Sequence, residues 1–167
     1  MEETLADRAA RLGRAQKFDR EKKAFAKSEE GVKASHAAYL RLLSDIKANS
    51  DTLTRIGCRI DERVYDSTTM VVGSGVVLTL RYECHYANSL DGAKLAAKFF
   101  DGVPPLSAYG WTQPRTLKSW EFTFQLVGPG RSAWVGPDGK EHPQEELAAF
   151  LLKHFVELQH GELEQGQ

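Results

Sequence analysis

The first third of the chain has the pattern of helices. From Glu2 to about Ala48 there is no proline, and alanine, leucine, lysine, arginine and glutamate, which favour helices, are frequent. Ser28 followed by Glu29 and Glu30 is typical of a helix N-cap with acidic residues in the first turn. The pattern therefore predicts an N-terminal helical arm of two helices that meet near Lys27.

A stripe of apolar residues runs through this arm at intervals of seven residues. The second apolar position of a regular coiled coil is missing, because Glu21, Ser28 and Ser35 stand there until Leu42. The stripe still needs a surface to pack against, either the protein's own sheet or a second copy. We expect a symmetric dimer, because the C-terminal helix already covers the sheet. The stripe comprises Phe18, Phe25, Val32, Tyr39, Ile46 and Leu53, of which Phe18, Phe25 and Val32 are the predicted partner-binding residues.

Alternating apolar and polar residues predict strands in the middle of the chain. Residues 78–86, 94–100 and 119–126 each place apolar side chains on one face and polar ones on the other. Residues 51–65 fit both a helical stripe and a strand, and we favour a strand for their second half. Turns rich in glycine and proline separate these segments, which predicts hairpins and an antiparallel sheet.

The turns also predict the register of two hairpins. A type I turn that ends at Gly92 sets Glu83 opposite Lys98. The short Gly-Pro-Gly loop further along the chain sets Trp134 opposite Phe124. Both registers agree with the alternation of apolar residues, so pattern and turn chemistry support each other.

An amphipathic helix of about four turns is expected after Pro143, a residue that suits the first position of a helix. It should lie across the apolar face of the sheet. The predicted fold class is α+β: an antiparallel sheet of four to five strands packed by this C-terminal helix and preceded by the helical arm. The predicted organisation is a helical arm over residues 1–50, a sheet domain over 51–160 and a disordered tail over 161–167.

Basic residues concentrate in the arm, although the net charge of the 167-residue chain is only −1. Asp19 and Glu21 are the acids within this stretch. The concentration suggests an alternative function, in which the first helix binds nucleic acid phosphates. Because the basic residues are spread around the helix, we expect no binding tighter than the non-specific range of roughly 10⁻⁴ to 10⁻⁶ M. They are Arg11, Arg14, Lys17, Arg20, Lys22, Lys23 and Lys27.

The cysteines and the apolar runs bear on location. Cys58 and Cys84 stand in a chain that begins with charged residues and whose longest apolar stretch is broken by glycine and serine. We therefore expect no export signal, no membrane span, reduced thiols and a cytoplasmic location.

A long segment rich in proline and aromatic residues, residues 102–115, is the most unusual part of the chain. Long irregular loops in compact domains are often functional, and stiff prolines with amphipathic aromatics suit a recognition surface. Tyr109, Trp111 and Arg115 are its predicted partner-binding residues. The alternative is that its aromatic side chains fold back over the edge of the core.

The motifs of catalytic and metal sites are missing from the sequence. The five histidines and two cysteines have no metal-ligand spacing, and no Gly-x-Ser-x-Gly nucleophile motif occurs. We therefore expect no metal, no cofactor and no catalytic residue. One polar face of the sheet mixes acids and bases and fits either an acid/base cleft or an ordinary solvated face: Arg81, Glu83, His85, Lys94, Lys98 and Glu121.

These observations favour a non-catalytic interaction or assembly module, which self-associates or docks a protein partner through the helical arm and the proline-aromatic loop. The first alternative is nucleic-acid binding by the basic helix. The second is a small-ligand binder or enzyme with a pocket between sheet and helices.

Overall fold

The structure is a computed structural model that describes residues 2–106 and 112–165, with side chains up to residue 161. Within these residues, four helices and seven strands follow one another. They are α1 (Leu5–Ala26), α2 (Glu29–Lys47), α3 (Ser50–Arg55), β1 (Arg59–Arg63), β2 (Thr68–Val72), β3 (Val77–Glu83), β4 (Lys94–Phe100), β5 (Thr116–Gly128), β6 (Arg131–Val135), β7 (Glu141–His142) and α4 (Leu147–Gln165).

The break between the first two helices is confirmed at Ser28. Its hydroxyl oxygen accepts a hydrogen bond from the Gly31 backbone N–H at 2.9 Å and donates to the Phe25 carbonyl at 2.8 Å. One side chain thus closes α1 and caps α2. Gly31 is required at this junction, because a Cβ there would lie 2.1 Å from the Phe25 carbonyl oxygen.

All seven strands lie in chain order, each antiparallel to the next. The α+β class and the antiparallel sheet are confirmed, but the sheet has seven strands rather than four to five. Strand β2 was not fully predicted, because it is buried along its whole length and so shows no alternation of apolar and polar residues. The second half of residues 51–65 forms β1, as favoured from the sequence.

The predicted register of the β3–β4 hairpin is wrong, because Glu83 lies opposite Lys94 and not Lys98. The connection spans residues 84–93, and the backbone N–H of Leu90 within it donates to the Ala26 carbonyl at the end of α1. A shift by an even number of residues keeps every side chain on its predicted face, so alternation could not reveal the error. The Phe124–Trp134 pair across the short β5–β6 turn is confirmed.

Helices α2 and α4 both pack on one face of the sheet. The Ser35 hydroxyl of α2 forms a hydrogen bond with the Tyr82 hydroxyl of β3, and burial raises the pKa of Tyr82 to about 12. On α4, the Phe150 ring lies 5.3 Å from that of Trp120 on β5. The sheet face that α4 covers thus also has room for α2, contrary to the reason given for expecting a dimer. The core shared by α2, the sheet and α4 includes Leu42, Ile46, Leu78, Leu80, Leu95, Phe99, Phe122, Trp134, Leu151 and Phe155.

The core has no break at the predicted boundary near residue 50, since residues on both sides of it contribute side chains. Helix α4 continues to Gln165, past the expected end of helix near His160. Residues 166–167 of the predicted tail lie outside the described residues.

Candidate functional site

Arg63, at the end of β1, joins two segments that are far apart in the sequence. Its Nη1 donates to the Pro104 carbonyl, and its Nη2 donates to Asp66 Oδ2 at 2.7 Å in the turn between β1 and β2. The segment that follows β4 is thereby held against this turn. The contact links positions 41 residues apart in the sequence.

Four large apolar side chains that are close in sequence to Arg63 or Pro104 are exposed, and we call them the turn–loop patch. Val64 and Tyr65, next to Arg63, are 88% and 93% exposed. Val103 and Leu106, on either side of the proline pair, are 48% and 60% exposed. Single exposed apolar residues are common on protein surfaces, whereas a group of this kind is typical of interaction sites.

The ends of the predicted proline-aromatic loop are joined at its base. The Asp101 backbone N–H donates to the Arg115 carbonyl at 3.0 Å, and the Arg115 backbone N–H donates to Asp101 Oδ1 at 2.7 Å. The Arg115 guanidinium also forms an ion pair with Asp101, with Nε and Oδ2 3.6 Å apart. Of the predicted loop residues, Arg115 thus closes the base, while Tyr109 and Trp111 lie outside the described residues.

We call the hydrogen bonds of Arg63 to Asp66 and to the Pro104 carbonyl the tether. The electrostatics of the tether favour the charged form of Asp66. Burial tends to raise the pKa of Asp66, but hydrogen bonds from Thr68 and Arg63, with the charge of Arg63, lower it below its ordinary value. Within the described residues, Arg63 Nε and Asp66 Oδ1 are buried without a hydrogen-bond partner. The tether is therefore a charge-assisted contact that is not fully satisfied.

Sequence reasoning missed the turn–loop patch. Val64 fits the apolar pattern of a strand, and the structure instead places it on an exposed turn. Val103 and Leu106 belong to the loop that the sequence does single out. The contact between Arg63 and Pro104 that joins this loop to the turn has no local sequence signal.

The predicted residues of the apolar stripe have different environments. Phe25 packs on Phe124 of β5, with ring centroids 6.1 Å apart, and Val32 is buried at the start of α2. Phe18 is half-buried, and residues 2–17 before it are all exposed. The first half of α1 therefore extends beyond the body of the domain.

The basic residues of α1 do not form one face. At about 100° per residue, Arg14, Arg20 and Lys22 lie on well-separated sides of the helix. Arg11 is already paired with Glu3, with Nη2 and Oε2 3.2 Å apart. Arg11, Arg14, Lys17, Arg20, Lys23 and Lys27 are exposed, and Lys22 is partly buried.

The polar face of the sheet carries paired charges. Arg81 pairs with Glu83 at 3.1 Å and Lys94 with Glu121 at 3.5 Å, while His85 lies beyond the end of β3. Among the described residues, no three His, Cys, Asp or Glu side chains are grouped so that they could hold a metal ion. No helix in the described part of the chain has the length and apolarity that a membrane crossing requires.

Comparison of the chain with protein-family models, with curated proteins and with solved structures found no match.

Proposed function

We propose that this protein is a non-catalytic interaction module that binds another protein through the turn–loop patch. The contact of Arg63 with Pro104 carries the proposal, because it joins the turn that bears the exposed Val64 and Tyr65 to the segment that bears the exposed Val103 and Leu106. Burying a large apolar side chain contributes roughly 1.5 to 3 kcal/mol, so a partner that covers the patch gains a substantial part of a binding free energy.

The patch is also held in place before a partner arrives. Arg63 fixes the loop from one side, and the Asp101–Arg115 contacts close its base. Preorganisation lowers the entropy that binding has to overcome. The sequence of residues 102–115 is also rich in proline and aromatic residues, and aromatic residues are enriched at the energetic centres of interfaces.

Substitution of the patch tests this proposal against a matched control. The partner is first isolated with the wild-type protein from its own cells and then purified. We expect Tyr65→Asp and Leu106→Asp each to weaken binding of this partner by about tenfold or more. Tyr86→Asp, at an exposed tyrosine in the connection between β3 and β4, should leave the affinity unchanged. Equal affinities for Tyr65→Asp, Leu106→Asp and the wild type would refute the docking surface.

A second candidate function is self-association through α1. The exposed Leu5 and Leu12 lie roughly 120–140° around the helix from Phe18, on a side turned away from the sheet. Most helices in proteins are stabilised by packing of an apolar face, and the first half of α1 has no such packing within the described residues. A second copy of α1 in antiparallel orientation supplies it, and brings the acidic start of each helix towards the basic stretch of the other.

Sedimentation equilibrium measures this self-association directly. We expect a dimer at high micromolar concentration that Leu5→Asp and Leu12→Asp dissociate. Leu40→Asp, at an exposed leucine on α2, is the matched control and should leave the mass unchanged. Deletion of the arm is unsuitable, because α2 contributes to the core. A monomer at every concentration would rule out the α1 dimer without affecting the turn–loop patch.

A further inference from the structure

A groove lies between the end of α1 and the second half of β5. Strand β4 pairs with β5 as far as Phe122, and from Thr123 onwards β5 pairs with β6. On the β4 side, the edge of residues 123–126 has no neighbouring strand within the described part of the chain. The last two turns of α1 and Leu90 stand beside this edge and enclose a cavity of about 460 Å³.

The inside of this α1–β5 groove is mainly apolar and held by defined contacts. Phe25 and Phe124 pack with their rings tilted at 42°, and Leu90 and Leu126 complete the apolar lining. The hydrogen bond from the Leu90 backbone to the Ala26 carbonyl, at 2.7 Å, fixes one wall relative to the helix. The volume falls within the range of roughly 300–1,000 Å³ that is typical of small-molecule sites.

The polar part of the groove is positive. Lys22 and Lys23 line it together with one acid, Asp19. Neither lysine forms an ion pair with a carboxylate of the described residues, in contrast to Lys33 and Lys94. Lys22 is partly buried, and an anion beside the two lysines would accept charge-assisted hydrogen bonds from their ammonium groups.

We propose that the α1–β5 groove binds a small amphipathic monocarboxylate. Its hydrocarbon part lies among Phe25, Leu90 and Phe124, and its carboxylate contacts Lys22 or Lys23. The apolar lining favours an alkyl or aryl chain, and the two lysines against one acid favour a single negative charge over a neutral or positive head group. The inference does not depend on partner binding at the turn–loop patch.

Isothermal titration of the full chain with decanoate, decanol and decylammonium separates the contributions of charge and chain. We expect saturable binding of one decanoate per chain, with decanol weaker and decylammonium at least about tenfold weaker. No saturable decanoate binding at millimolar concentration would overturn the proposal. Equal binding of decylammonium would overturn the assignment of the lysines.

Substitutions within α1 locate the site. Ala26→Phe fills the groove, whereas Ala24→Phe adds the same ring on the exposed side of the helix and is the matched control. Ala26→Phe should weaken decanoate binding by at least about tenfold and Ala24→Phe should not. An unchanged affinity for a folded Ala26→Phe variant would place the binding elsewhere and refute the groove.

The lysine variants keep the test decisive if Ala26→Phe fails to fold. Lys22→Gln combined with Lys23→Gln should weaken decanoate binding several-fold and reduce its salt dependence, because the attraction of the carboxylate is lost. Lys17→Gln, at an exposed position of α1 that does not line the groove, is the control and should have no effect. Equal binding by the double variant and the control would contradict the proposed role of the two lysines.

Discussion

Replacement of Arg63 by alanine should release the loop after β4 from the turn between β1 and β2. The substitution leaves the Pro104 carbonyl and Asp66 Oδ2 without their donor. Loss of a partner costs roughly 1 to 3 kcal/mol for a buried group. Two facts reduce this cost. The side chains of Arg63 and Asp66 are 19% and 27% exposed. The substitution also removes Arg63 Nε, which is buried without a hydrogen-bond partner among the described residues. We expect a net loss of about 1–2 kcal/mol in the free energy of unfolding.

Urea unfolding together with hydrogen exchange measures both consequences of this change. The free energy of unfolding should fall by about 1–2 kcal/mol. The backbone amides of Asp101 and Arg115, which are hydrogen-bonded across the base of the loop, should exchange faster because the loop opens locally. Arg63→Lys should be intermediate, because one ammonium group cannot reproduce the fork that reaches two acceptors. Stability within about 0.5 kcal/mol of the wild type, with unchanged loop exchange, would refute the tether.

Two further predictions concern the packing of α4. A Cβ at Gly73 would lie 1.6 Å from Gln159 Oε1 and 3.1 Å from Phe155 Cζ. Gln159 is buried and its amide donates to Cys58 Sγ at 3.3 Å, so its side chain can move away only by losing that contact. Gly73→Ala should therefore cost about 1–3 kcal/mol in urea unfolding, and a neutral result would contradict the contact. Burial lowers the pKa of His142 and of His154, and the charges of Lys140 and Lys118, respectively, lower these pKa values further. As the pH falls, the two histidines therefore take up protons at a higher pH in the unfolded chain than in the folded chain. The stability that these two histidines contribute should therefore be fully present above about pH 6.5 and decrease below it. The double variant His142→Gln with His154→Gln should reduce this decrease between pH 7.5 and 5.5. An equally steep decline in the double variant would show that other groups cause it.

Local chemistry made several features predictable. The N-cap at Ser28 depends on residues within three positions of it, and the structure shows both of its hydrogen bonds. The Phe124–Trp134 pair is set by a turn that leaves little freedom of register. The Glu83 register failed because its connection is ten residues long and docks on α1, which neither alternation nor turn chemistry reveals.

Tertiary contacts determine the features that the sequence left open. The stripe of the arm needs a surface, but its pattern does not distinguish the protein's own sheet from a second copy. The structure packs Phe25, Val32 and Ile46 within the chain and leaves the first half of α1 uncovered. Similarly, the turn that carries Tyr65 and the loop that carries Leu106 are joined by a contact between distant segments, which one sequence does not specify.

Photo-cross-linking from position 65 tests the central claim most directly. Benzoylphenylalanine replaces Tyr65 in one variant of the full chain and Tyr86, an exposed tyrosine elsewhere on the surface, in a control variant. If the turn–loop patch is a docking surface, irradiation in cells yields one discrete adduct from position 65 and none from position 86. Addition of Leu106→Asp should abolish that adduct, and an adduct of twice the chain's mass would identify a second copy as the partner. The absence of an adduct at position 65, or the same adducts at both positions, would contradict the account.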